Sequence, residues 1–263
     1  MIVYKSEKEI QAIRLSNQIV AKVLTELKDM IKPGVQTKKL DEFAEMRARE
    51  MGAVPAFQGY RGYPASLCTS INEEIVHGIP SSRTLREGDI ISLDFGVAFN
   101  GFYGDAAVTY PVGEISTEAR RLVDATRQAF YKGIEQMREG KRISDISHAI
   151  QGYAEARGFS VIRTFVGHGT GLSLHEEPQV PNFGQPGRGP RIKPGLVLAI
   201  EPMIAAGDWR VEILGDHWTA VTKDRSLSSH FEHTVALSPK GVEILSALDE
   251  KGMEPDVKER GYA

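Results

Sequence analysis

A single cysteine, Cys68, stands among 263 residues. No disulfide can form within the chain, and no zinc site can be built on several thiolates. A reducing, cytoplasmic home is the resulting expectation. No apolar run is long enough to span a bilayer, and the N-terminus MIVYKSEKEIQAIR has no secretory apolar core. Charge of one sign is not in excess either. A net charge of −3 gives no strong pull toward nucleic acid or a membrane surface. The short basic pairs Lys38-Lys39 and Lys141-Arg142 read as solvated helix ends. What is present is a globular composition, 41% hydrophobic and 25% charged, sufficient for a substantial core in one large domain or two small ones.

Helical signals come first along the chain. Ser6 with Glu9 makes a capping box, and Ile10, Ile13, Val20, Val23, Leu24 and Leu27 recur at helical spacing up to the stop at Pro33-Gly34. A second helix is predicted over 37–51, with Leu40, Phe43, Ala44, Ala48 and Met51 on one face and Gly52 closing it. A third is predicted over about 117–139 and a fourth over about 144–157, ending at Gly158. Strands are predicted at 89–95, 103–110, 160–166, 196–201, 217–222 and 231–237.

The stretch LDFGVAFNGFYGDAAVTY, residues 93–110, sets two aspartates into strand-like sequence around Asn100-Gly101. Asn-Gly between apolar and aromatic runs signals a two-residue hairpin, because a type I′ turn needs φ > 0 at both central positions. Centring the turn there opposes Asp105 to Gly96, two residues along from Asp94. Alternation then puts Asp94 and Asp105 on one face as diagonal neighbours, in joint reach of one small ion. Gly96 and Gly104 leave room for a bulge that would shift this register.

An internal repeat ties the first strand of this hairpin to a later segment. LREGDIISLD (85–94) aligns with IKPGLVLAIE (192–201), each ending in a carboxylate. At one residue less offset, GVQTKKLDEFAEMRAREMG (34–52) aligns with GKRISDISHAIQGYAEARG (140–158), matching Leu40 to Ile146 and Ala48 to Ala154. The pattern predicts a duplicated αβ half packed about a pseudo-twofold, with Asp94 and Glu201 meeting from the two halves.

Glu232 in HFEHTVAL adds a further acid in a strand pattern, and VGHGTGLSLHEEPQVP supplies His168 and His175. Glycines at 167, 169 and 171 disfavour a helix there, so both histidines belong to extended or looped chain. HEEPQ is not the zincin signature, since position 179 is Gln, and GHGTG lacks the third glycine and the following helix of a dinucleotide loop. Taken singly, each acid reads as a solvated strand end. Together with the repeat the balance reverses, because Asp94 lies between Leu93 and Phe95, and Glu201 between VLAI and Pro202. Such flanks imply burial, and a buried unpaired carboxylate costs several kcal/mol or stays protonated. Four converging carboxylates call for about four positive charges, which two divalent ions supply.

At this point the chain resembles type I methionine aminopeptidases in their short bacterial form. The resemblance runs over residues 1–248 and is carried by NEEIVHGIP (72–80), LDFGVAFNGFYGDAAVT (93–109), GHGTGLSLHEEPQVPN (167–182), LAIEPM (198–203) and FEHTV (231–235). It implies the α+β pita-bread fold, a curved antiparallel sheet with helices on its outer face and two pseudo-symmetric halves. One catalytic domain over 1–248, with halves of about 1–110 and 111–248, and a polar C-terminal tail over 249–263 are the expected organisation.

The resemblance also implies roles. Its five metal ligands fall on Asp94, Asp105, His168, Glu201 and Glu232, with Asp105 and Glu232 bridging two divalent ions. An oxygen-rich set with one imidazole suits Mn²⁺, Fe²⁺ or Co²⁺. Glu201 doubles as proton acceptor, and His77 and His175 stand beside the scissile bond as non-ligands. The methionine pocket maps to Tyr60, Tyr63, Cys68 and Trp218, with Phe57 and Leu174 at positions that vary. The implied activity is removal of N-terminal methionine from nascent polypeptides when the second residue is small, by a cytoplasmic monomer with the ribosome as a candidate partner. The alternatives are an Xaa-Pro peptidase of the same fold, whose relatives carry a sizeable N-terminal domain, and a metal-free binding protein, which loss of a ligand would mark. Here the helices begin by residue 7 and all five ligand positions are intact.

Overall fold

The computed structural model describes residues 1–247; the polar tail expected over 249–263 lies outside the described residues. Four helices, α1 (Glu7–Lys28), α2 (Thr37–Glu50), α3 (Thr117–Ile134) and α4 (Ile143–Glu155), pack on a nine-stranded antiparallel sheet. The capping box opens α1 as expected: the Ser6 N–H donates to Glu9 Oε2 at 2.7 Å and the Glu9 N–H to Ser6 Oγ at 3.3 Å. All six apolar residues of its periodic face are buried.

The Asn-Gly hairpin forms with its register unshifted. Strands Ile90–Phe99 and Phe102–Pro111 are joined through Asn100 (φ 50°) and Gly101 (φ 81°), and Gly96 opposes Asp105. The bulge allowed for at the two glycines is absent from this pair. Gly104 is instead a point of close approach: a Cβ there would come within 2.6 Å of the Ser16 carbonyl carbon and 2.7 Å of the Asn17 nitrogen in α1. A Gly104→Ala substitution should therefore push α1 off the hairpin. A loss of about 2 kcal/mol, lowering the thermal midpoint by roughly 5 °C, is expected by calorimetry on metal-replete protein; an unchanged midpoint would show that the helix yields freely.

The two halves predicted from the repeat use the same backbone contacts. Gln36 bridges Thr84 and Arg142 bridges Arg191; Leu85 N–H donates to Val35 O, and Ile192 N–H to Lys141 O, each at 2.8 Å. The halves meet where Phe102–Pro111 pairs with Glu232–Ser238, which in turn pairs with Val197–Ile200. Each half buries its own core against its own helices. Val20, Leu24 and Leu40 pack with Leu93, Phe95 and Ala106 in the first, and Leu122, Ile146 and Ile150 with Leu198, Ile200 and Val235 in the second. Because strand side chains alternate, the face opposite these cores receives Asp94, Asp105 and Glu232.

Several boundaries differ from the sequence expectation: the first helix ends at Lys28, short of Pro33-Gly34, and the strand expected over 89–95 runs on to Phe99. The third helix stops at Ile134 rather than near 139, because the following turns fold Met137 into the second core, where it is fully buried. The strand expected over 160–166 is only Ser160–Val161, and the one over 217–222 only Ala220–Thr222. In the latter case His217 takes φ 65°, and Asp216 accepts from the Trp218 and Thr219 N–H groups in a side-chain-made turn.

Candidate metal centre and substrate cavity

One cavity of about 340 Å³ opens on the polar face of the sheet and is lined by residues from both halves. Asp94 and Asp105 enter it from the hairpin, His168 from the strand Gly167–Gly169, Glu201 from the chain just after Val197–Ile200, and Glu232 from the first residue of its strand. Asp105, His168 and Glu232, all buried, form one group whose donor atoms lie within 4.8 Å of one another. Glu201 joins it through Oε1, 3.3 Å from His168 Nε2, while Asp105 Oδ2 is 3.9 Å from the same nitrogen. His168 Nδ1 lies 3.0 Å from the Gly169 carbonyl. That contact fixes the proton on Nδ1 and turns the Nε2 lone pair toward the carboxylates.

The backbone holds these groups rigidly. The Asp105 N–H donates to Asn17 Oδ1 of α1 at 3.2 Å, its carbonyl accepts from Thr234 Oγ1 at 2.9 Å, and Asn182 Nδ2 donates to the Glu201 carbonyl at 3.0 Å. Three of the carboxyls, by contrast, each leave one oxygen without a partner. Asp94 Oδ1, Asp105 Oδ1 and Glu232 Oε1 are buried without a hydrogen bond among the described residues.

Burial is the main reason that all four carboxyls resist ionisation. It raises Asp94 to about 7. Asp105 is raised well above its ordinary value by burial and then by Asp94, and Glu201 and Glu232 by burial and then by their acidic neighbours. His168 is pushed down to about 4 by burial and so stays a neutral lone-pair donor. Among the described residues, Arg61 is the one lysine or arginine lining the cavity, and it is exposed. Orphaned carboxylate oxygens, mutual repulsion and a neutral imidazole make a donor set that fits hard to borderline divalent cations.

Beside the acids lies an aromatic recess. Tyr63, Cys68, Phe57 and Leu174 form its buried wall, with Tyr60 and Trp218 packed against it and Tyr63 edge-on to Trp218 at 5.2 Å. Cys68 opposes Asp94 on the neighbouring strand, and burial, followed by the Asp94 charge, keeps its thiol protonated. His77, at φ 61°, and His175 both line the cavity. Burial first lowers His77 to about 4, so its ring is neutral.

Residues 11–239 match metallopeptidase family M24. Methionine aminopeptidase 1 of Bacillus subtilis is 51% identical over 248 residues, covering 94% of this chain and all of the relative. The chain belongs to metallopeptidase family M24, among its methionine aminopeptidases. The crystal structure of methionine aminopeptidase from Thermotoga maritima superposes on this M24 chain with a TM-score of 0.93 at 44% identity, covering 94% of it and 100% of the relative. That establishes the α+β pita-bread fold expected from the sequence, a curled antiparallel sheet with four helices. Prolidase from Pyrococcus furiosus superposes with a TM-score of 0.75 at 20% identity over 94% of this chain and 66% of its own, a likeness of fold alone. No helix among the described residues is long and apolar enough to cross a membrane.

The M24 cavity contains every residue singled out from the sequence, and two features that sequence reasoning missed. Tyr60, expected only as a pocket wall, places its hydroxyl 2.9 Å from His175 Nδ1, with the rings stacked at 5.3 Å. Nothing in the local sequence of either residue signals a contact over so long a separation. His230 also lines the cavity. Its signal was available, because in SSHFEHTV it precedes Glu232 by two residues and so shares its face.

Proposed function

We propose that this chain removes the N-terminal methionine from polypeptides whose second residue is small, with two divalent ions held by Asp94, Asp105, His168, Glu201 and Glu232. The observation that carries the reading is the set of buried carboxyls, three of them with an unpartnered oxygen among the described residues, beside an aromatic recess, in a chain matching methionine aminopeptidases along nearly their whole length. Asp105 and Glu232, at the seam between the halves, are the proposed bridging ligands, and Mn²⁺, Fe²⁺ or Co²⁺ suit the donor set.

A bound divalent ion of this kind supplies Lewis acidity that lets water lose a proton near neutral pH. Glu201 accepts that proton. Tyr63, Cys68 and Trp218 enclose the methionine side chain, where aromatic faces and a small thiol suit a thioether. His175, its Nδ1 fixed by the Tyr60 hydroxyl, presents Nε2 as the donor to the oxygen that becomes negative during hydrolysis. His77 crowds the position of the second residue, against Phe165 at 5.3 Å and Trp218 at 6.2 Å between ring centroids. A monomer is the proposed working form, and nascent chains in the cytoplasm, emerging from the ribosome, are the proposed source of substrate.

Comparing release of the first residue from Met-Ala, Met-Leu and Xaa-Pro peptides of equal length, in one metal-replete preparation, tests the reading. Met-Ala should exceed Met-Leu by at least about tenfold, because the added side-chain carbons have no space. Cleavage of Xaa-Pro in preference to Met-Ala would assign the cavity to the rival peptidase activity, and equal rates on Met-Ala and Met-Leu would refute the crowded second subsite.

A further inference from the structure

His230 ends the strand Ser228–His230 and is only 2% exposed. Its backbone is fully engaged: the N–H donates to Thr109 Oγ1 at 3.0 Å, the carbonyl accepts from that hydroxyl at 2.7 Å, and Met203 pairs with it across the strand. Its ring is not. Among the described residues neither Nδ1 nor Nε2 has a hydrogen-bond partner, although the ring lines the cavity. A buried polar group left unsatisfied costs about 1–3 kcal/mol, so an imidazole held this firmly against a set of acids needs a partner of another kind.

The distances indicate which kind. Nε2 lies 3.8 Å from Glu232 Oε2 and 4.0 Å from Glu201 Oε2, beyond hydrogen-bond range. The expected ligand His168 stands at the same spacing, 3.9 Å, from Asp105 Oδ2. Two donor atoms bound to one ion at roughly 2.1 Å each, and separated by such a distance, subtend an angle on the order of 130°, within the range of distorted four- and five-coordinate sites.

We propose that His230 Nε2 is a sixth protein ligand of the metal centre, binding on the side of Glu201 and Glu232, so that the centre carries two imidazoles. The proposal rests on the metal-centre reading above and adds a nitrogen donor to it. A second imidazole shifts the set toward metals late in the Irving–Williams order and raises affinity at the ion it touches.

Cobalt(II) titration of the full chain tests this without reference to turnover. In the proton NMR spectrum of the Co²⁺-loaded parent, two paramagnetically shifted, solvent-exchangeable imidazole N–H resonances are expected. His230→Gln and His168→Gln should each remove a different one, and His230→Gln should weaken Co²⁺ binding by at least about tenfold. A parent spectrum with one such resonance, lost only in His168→Gln, would overturn the His230 assignment while leaving the metal centre standing. Failure of the parent to bind Co²⁺ at all would overturn the metal-centre reading itself. The parent spectrum decides the ligand count even if His230→Gln folds poorly.

Discussion

Asp105→Asn is expected to leave the metal-replete enzyme with turnover reduced by more than about 10²-fold, beyond the loss usual for partners that only orient a ligand. The residue's backbone is fixed from α1 and from Thr234, so the amide will occupy the place of the carboxyl. What changes is chemistry: an amide has one acceptor oxygen and no charge, whereas the proposed bridging role would require both oxygens of a carboxylate. Exhaustive chelation should abolish hydrolysis for the same reason, and Mn²⁺, Fe²⁺ or Co²⁺ should restore it in the parent far better than in the variant.

Stability should move the other way once the metal is removed. The Asp105 charge helps to raise Glu201 and Glu232, and is itself raised by burial and Asp94. Carboxyls held above their ordinary range contribute stability that is present in acid and lost as pH rises through the folded pKa, about 7 for Asp94. Chelated Asp105→Asn should therefore melt above the chelated parent in mild alkali and together with it in acid. Normal metal stoichiometry and normal turnover in the variant would remove Asp105 from the bridging position.

These carboxylates illustrate how far the sequence could be read. The Asn100-Gly101 turn sets the pairing of Gly96 with Asp105 by local chemistry alone, and the repeat relates Glu201 to Asp94, with the preceding helical segments aligned at nearly the same offset. Helix starts were legible because caps are local; Ser6 with Glu9 is sufficient. The end of α3 was not, because burial of Met137 against another part of the chain decides it. Short strands such as Met203–Ala205 and Ser228–His230 escaped notice since their pairing depends on partners distant in sequence. The same limit applies in the site. Alternation could have joined His230 to Glu232, whereas only the folded chain brings the Tyr60 hydroxyl to His175.

That Tyr60 contact shapes the second large effect, which separates two histidines seven positions apart in one glycine-rich segment. His175→Ala should lower kcat by about 10²- to 10³-fold with little change in KM, the usual consequence of removing a donor to a developing oxyanion. The ring is neutral, pushed down to about 3 by the surrounding protein, then by His168 and Arg61, even though part of it is open to solvent. A neutral imidazole has one N–H, and the proposed oxyanion role assigns it to Nε2, with Nδ1 accepting from the Tyr60 hydroxyl 2.9 Å away. Tyr60→Phe should consequently produce a smaller loss of the same type, in kcat rather than in metal content. His168 carries the opposite expectation. Its Nε2 points at Glu201 and Asp105, so His168→Ala should lose metal affinity, and raised metal concentration should recover part of its activity. Metal content and steady-state kinetics on the three variants separate the roles. If His175→Ala lost metal while His168→Ala retained it, donor and ligand would have to be exchanged. The rings are centred only 4.2 Å apart, so the different atoms each nitrogen faces, rather than proximity to the acids, must account for the division.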